Sequence, residues 1–249
     1  MISFESVSFF YSNKEILQNI NFNLSENENI TILGENGAGK STIAKLMTGL
    51  LESNGNIKIF DEEITKIPHK KRAARINYIP AKLDVFDDSI TLNEYILLGL
   101  YPYKNRFEVY DTKELENAHY LLKKLALFNE KDKPITLLSS GQKQLAMIIQ
   151  ALIQNSHITI FDEPISNLDP LNTKKIFDIL KSCEYFKTKI VITHDMNFAY
   201  NLGYKILYLK DKKIVFFGEC AEFFSKEKLV EFFDDSIIKT DEGILVRYA

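Results

Sequence analysis

Along the first thirty residues the apolar positions fall at the spacing of strands. Ile2, Phe4, Val7, Phe9 and Phe10 are apolar and β-prone, Ser12-Asn13-Lys14 supplies a turn, and Ile20-Asn21-Phe22-Asn23-Leu24 alternates as a half-buried strand does. The run Ile30-Thr31-Ile32-Leu33 predicts a buried strand, and Ile43-Ala44-Lys45-Leu46-Met47 opens a helix that Gly49 ends. Further strands are predicted at Gly55-Asn56-Ile57-Lys58-Ile59-Phe60 and at Ile76-Asn77-Tyr78-Ile79, which Pro80 stops. The basic run 66–75 reads as a solvated helical face. Over 91–127 the period becomes helical, through Leu92, Tyr95, Ile96 and Leu98, then Leu115, Ala118, Leu121, Leu122 and Leu125. A helix follows through Ala146, Ile149, Ala151, Leu152 and Ile153, then a buried strand, Ile158-Thr159-Ile160-Phe161. Two more strands, Ile190-Val191-Ile192-Thr193 and Ile206-Leu207-Tyr208-Leu209, flank a helix. A hairpin turning at Lys210-Asp211-Lys212-Lys213 comes next, and the tail adds a short helix or two and Ile244-Leu245-Val246. The succession predicts an α/β chain with an antiparallel N-terminal sheet, a mostly parallel core and a helical insertion.

Between the third strand and its helix lies Gly34-Glu35-Asn36-Gly37-Ala38-Gly39-Lys40-Ser41-Thr42. This is the G-x-x-x-x-G-K-[ST] pattern in its strand-loop-helix context. Gly34, Gly37 and Gly39 let the backbone turn so that N–H groups face phosphate oxygens, and the helix aims its positive end at the same anion. Lys40 can reach the β- and γ-phosphates, and the Ser41 hydroxyl can ligate Mg²⁺. The chain is expected to bind a nucleoside triphosphate. Tyr11, before the first turn, reads either as core packing or as a ring stacked on an adenine base.

Composition narrows the remaining classes. A net charge of −3 over 249 residues argues against nucleic acid as the main partner. Cys183 and Cys220 form no CxxC pattern, which fits a reducing compartment. The N-terminus shows no secretory pattern, and no run approaches the roughly 18 apolar residues of a membrane helix. Work at a membrane would require docking onto a partner that crosses it.

Asp162 ends an apolar strand, where parallel α/β sheets hold their ligands, and can hold Mg²⁺ together with Ser41. Glu163 can polarise an attacking water as general base. His194 follows another buried strand and is expected on the same edge, as a γ-phosphate sensor or a water-orienting group.

These residues resemble, over nearly the whole chain, the ATP-binding subunit of an ABC transporter. Residues 34–42 resemble Walker A and 158–163 resemble Walker B with its catalytic glutamate. Leu138-Ser139-Ser140-Gly141-Gln142 resembles the signature LSGGQ, Ser166-Asn167-Leu168-Asp169 the D-loop, and His194 the switch histidine. The resemblance implies one ABC ATPase domain over 1–249. It has a P-loop NTPase core, an N-terminal antiparallel β subdomain, a helical subdomain at about 85–150 and a tail at about 219–249. It places Tyr11 on the adenine, Asn36 and Thr42 with the other loop residues on the phosphates, and Asp162 and Ser41 on Mg²⁺. It also implies a head-to-tail homodimer, in which Ser139, Ser140, Gly141 and Gln142 close on the partner's ATP beside Asp169.

Two positions depart from the family pattern. Ser140 replaces a glycine, adding a Cβ where backbone approaches phosphate, and Ala81 stands where Tyr-x-Pro is usually followed by glutamine. Leu98-Gly99-Leu100-Tyr101-Pro102-Tyr103 and His194-Asp195-Met196-Asn197 resemble segments of ATPases that serve iron-siderophore, haem and cobalamin importers. That resemblance implies a homodimer on the cytoplasmic face of the membrane, beneath polytopic permease subunits that receive cargo from a substrate-binding protein. Zinc and manganese importers share part of these features. The residues are also compatible with service to another importer or an exporter, with a soluble non-transport ABC ATPase, and with a regulatory module that hydrolyses ATP poorly.

Overall fold

The computed structural model describes residues 1–84, 87–105, 108–240 and 243–246, with the side chains of Asp235 and Val246 left aside. The expected opening of the helical subdomain at 85–86 and the end of the tail at 247–249 lie outside the described residues. Two compact units are present, one formed by Met1–Ile67 with Thr188–Ala249, the other by Pro68–Lys187.

The first unit begins with the hairpin β1 (Ile2–Tyr11) and β2 (Lys14–Leu24), paired antiparallel from Ile2↔Leu24 to Tyr11↔Lys14. Ser6 at φ 51° and Asn19 at φ 50° lie where the register shifts. The irregularity lets Ile2, Phe4, Val7 and Phe9 all face the core despite the odd step from 4 to 7. Strand β3 (Ile30–Gly34) is buried throughout and delivers the glycine-rich loop to helix α1 (Lys40–Met47). Strands β4 (Asn54–Ile59) and β5 (Glu62–Glu63) complete the antiparallel sheet in the order β2-β1-β4-β5.

The second unit opens with α2 (His69–Arg75), which has no buried residue, as the basic run leads one to expect. It continues with β6 (Ile76–Ile79), α3 (Leu92–Leu97), α4 (Thr112–Lys124), α5 (Ser140–Gln154) and β7 (Ile158–Asp162). Strands β6 and β7 pair parallel, with Tyr78 opposite Ile160. Capping boxes start α3 at Thr91 and Glu94, and α4 at Asp111 and Glu114. Helix α6 (Pro170–Ser182) has no counterpart among the elements predicted from the sequence. Its signal was local: Asp169 caps it, Pro170 takes the first helical position, and Ile176 and Leu180 form its buried stripe.

The chain then returns to the first unit. Strand β8 (Thr188–Thr193), helix α7 (Met196–Leu202), and strands β9 (Lys205–Lys210) and β10 (Lys213–Gly218) complete its core sheet. β8 and β9 lie on either side of β3, both parallel to it, and β10 turns back antiparallel to β9. Asp211 and Lys212, at φ 48° and 67°, make the tight turn between them. The tail holds α8 (Cys220–Phe223), α9 (Lys226–Phe233) and the hairpin β11 (Ile237–Thr240) and β12 (Gly243–Val246). Ile244, Phe223, Phe224, Tyr208, Ala199 and Leu33 share one buried cluster.

Candidate active site

In the first unit the phosphate-type loop closes on itself. Gly39 sits at φ 101°, and a Cβ there would lie 2.8 Å from Leu17 Cδ2, so both backbone and space require glycine. α1 has no side-chain cap and no acidic residue in its first turn, which leaves its N-terminal amides to an anion. Lys40 is buried, and its Nζ donates to Gly34 O at 2.8 Å and Glu35 O at 3.0 Å. Thr42 is buried and Ser41 half-buried, while Glu35, Asn36 and Gly37 are exposed. A cavity of about 340 Å³ opens beside Glu35, Asn36, Gly37 and Ala38.

His194 belongs to the same unit and the same strand ends. Leu33 pairs with Thr193, so Gly34, the last residue of β3, and His194, the residue after β8, lie at the same edge of the sheet. His194 is exposed there. Thr193 Oγ1 accepts from Asp195 N at 3.1 Å and Asp195 Oδ1 from Phe198 N at 2.8 Å, which stiffens the turn around the imidazole. Tyr11 is 45% exposed and meets the buried Phe9 edge-on at 4.8 Å, which leaves part of the residue open to solvent. We expect Tyr11→Ala to weaken ATP binding by about 1–3 kcal/mol, the range for a base on an aromatic platform. Tyr11→Phe should be nearly neutral by the same binding titration; equal losses would assign the effect to the hydroxyl.

In the second unit the carboxylates end β7. Asp162 is 3% exposed, and its Oδ2 accepts from the Tyr78 hydroxyl at 2.7 Å, a contact that sequence reasoning missed. Its Oδ1 is buried and has no hydrogen-bond partner among the described residues. A hard, anionic oxygen left unsatisfied is what a Mg²⁺ ion, or water bound to one, would satisfy, so the residue fits that cation. Glu163 is half-buried at φ 47°, a left-handed conformation held directly before Pro164. Such backbone stores about 1–3 kcal/mol and gathers at functional sites. Ala81 is exposed and lines a cavity of about 340 Å³ with Ser140, Gln144 and Asn167. Asp84 pairs with Lys82 at 3.7 Å.

The signature residues turn out to be a helix start. Ser139 caps α5 by accepting from Gln142 N at 3.3 Å, while Gln142 Oε1 accepts from Ser139 N at 3.0 Å. The S-x-x-Q spelling carried that capping box from the outset. Ser140 is exposed on the first turn, so its added Cβ meets solvent within this chain. Gly141 is buried, and a Cβ there would strike Asn172 Nδ2 at 2.3 Å. Asn172 is itself held by Asp169: its Nδ2 donates to Oδ2 at 2.6 Å and its backbone N–H to Oδ1 at 2.9 Å. That backbone N–H is the main reason the Asp169 carboxyl stays below the usual carboxylate range. Signature and D-loop residues thus touch through one asparagine.

Residues 17–166 match the ABC transporter family. The chain belongs to that family. The phosphonates import ATP-binding protein PhnC of Fusobacterium nucleatum is 34% identical over 225 residues, covering 85% of this chain and 90% of that protein. The iron chelatin transport ATP-binding protein of Helicobacter pylori is 31% identical over 219 residues, covering 86% and 85%. Among solved structures, the dimeric ATP-binding cassette MJ0796, in a post-hydrolysis state with ADP and phosphate, superposes with a TM-score of 0.76 at 28% identity. It covers 88% of this chain and 99% of its own. This ABC ATPase is therefore the ATP-binding subunit of a transporter. No helix among the described residues is long and apolar enough to cross a membrane.

Proposed function

We propose that this ABC ATPase powers import of a metal chelate, an iron-siderophore, haem or cobalamin, as a homodimer on the cytoplasmic face of the membrane. The observation that carries the docking part is the build of residues 98–103. A Cβ on Gly99 would lie 2.4 Å from Gln150 O, and the Tyr103 hydroxyl donates to Gln154 O at 2.7 Å, so the segment is fastened to α5. Leu98 and Tyr101 stay 45% and 66% exposed. An aromatic, apolar face on a rigid support suits a permease subunit. Within the helical subdomain, the stretch from about 91 to 127 is assigned to that contact. The cargo reading rests on the spelling of 98–103 and 194–197 and on the iron chelatin relative. The phosphonate importer relative favours a second reading, phosphonate as cargo.

Within one catalytic cycle the residues take separate roles. Tyr11 stacks on the adenine, the loop 34–42 holds the phosphates, and Lys40 leaves its two carbonyls for the β- and γ-phosphates. Ser41 and Asp162 would hold Mg²⁺, which when bound neutralises phosphate charge. Glu163 takes a proton from the attacking water, and His194 orients that water or the γ-phosphate. Ser139, Ser140, Gly141 and Gln142 of one subunit close on the ATP of the other, with Asp169 alongside. ATP thereby bridges the dimer, and hydrolysis releases it.

Deleting the gene and measuring uptake of iron chelates, haem, cobalamin and phosphonate tests the cargo. Loss of one metal chelate with phosphonate uptake intact is the expected result. Loss of phosphonate uptake alone would replace the cargo and leave the ATPase reading standing.

A further inference from the structure

The tail hairpin has no part in the roles above, yet it is fastened to the segment that carries His194. Asn197 stands three residues after His194, on the first turn of α7. Its Nδ2 donates to Ile244 O at 2.6 Å, and its Oδ1 accepts from Ile244 N at 2.6 Å. One side-chain amide thus serves both backbone groups of a β12 residue, as a neighbouring strand would. Gly243 adapts to the same contact. It lies at φ 140°, and a Cβ there would sit 2.6 Å from Asn197 Oδ1. Ile244 is 3% exposed in the cluster that also holds Leu33, the residue before the phosphate loop, and Ala199 of α7.

We propose that Asn197 is a positioning residue, through which the C-terminal hairpin holds the His194 turn at the sheet edge that carries the phosphate loop. The proposal rests on the role given to His194 above. Its physical basis is the weakness of α7 alone. Seven residues are too few for a helix to persist in water, so its place is set by what it packs against. Phe198, Ala199 and Leu202 supply the buried face, which still permits sliding and rolling. The paired bonds to Ile244 are directional and fix the first turn, where only Asp195 separates α7 from His194. With the amide gone, the imidazole keeps its chemistry and loses its aim.

The test is a mutant cycle in the full chain, with ATP hydrolysis separated into kcat and KM. Asn197→Ala removes both bonds, and the isosteric Asn197→Asp keeps the acceptor while losing the donor to Ile244 O. Each should lower kcat by about 3- to 30-fold and leave KM for ATP within about twofold, as loss of orientation does. In a His194→Ala background neither should lower the rate further, because both act on one imidazole. The same fractional loss in that background, or wild-type kcat in both single variants, overturns the proposal. Wild-type kcat in His194→Ala alone removes the His194 assignment, and the proposal falls with it by a separate result. Amide exchange at Ile244 gives a readout that needs no turnover. Asn197→Ala must speed it, and unchanged protection overturns the clamp.

Discussion

Glu163→Gln is expected to bind ATP as the unaltered chain does and to hydrolyse it about 10²- to 10⁴-fold more slowly, the scale of a lost general base. Glutamine matches glutamate in size and keeps the backbone that Glu163 adopts at φ 47° before Pro164, so the fold gains no new strain. The turn that Ser166 N closes on Glu163 O at 3.1 Å uses main-chain atoms and is untouched. Binding without hydrolysis should leave ATP in place as the bridge between subunits, so size-exclusion chromatography with Mg-ATP should show a dimer that persists. Hydrolysis at the wild-type rate would assign the base elsewhere.

Lys40→Ala is expected to weaken ATP binding by about 10- to 100-fold, from loss of a charge-assisted contact worth about 1.5–3 kcal/mol. Hydrolysis should fall to background. The ammonium is buried and donates to two carbonyls of its own loop, so its removal also leaves Gly34 O and Glu35 O without that donor. A modest drop in melting temperature is therefore expected without nucleotide, and ATP should recover less of it than in the wild type. Titration with a fluorescent ATP analogue measures the first effect and a melting curve the second.

How far the sequence could be read depended on the range of each contact. The hairpin turn at Ser12, the alternation from Ile20 to Leu24 and the phosphate loop are local patterns, and each lies where the spacing predicted it. Helix α6 was legible too, from Asp169-Pro170 and the spacing of Ile176 and Leu180, but that aspartate was read only for its place in the D-loop. The Tyr78–Asp162 bond spans 84 positions and the Asn197–Ile244 pair 47, so neither leaves a periodic trace in the chain. The left-handed Glu163 was equally hidden, since glutamate before proline spells an ordinary extended residue. Gly141 was expected only as a signature residue that closes on the partner's ATP. The structure adds the Asn172 side chain packed against it from within the same chain.

This chain is expected to hydrolyse ATP with its own loop and strand-end residues. Phosphate release by the purified chain, with saturating ATP and Mg²⁺, tests it most directly. A saturable rate is expected, which Lys40→Ala and Glu163→Gln each reduce to near background. A purified chain that folds and binds ATP yet releases phosphate no faster than its Lys40→Ala variant would contradict it.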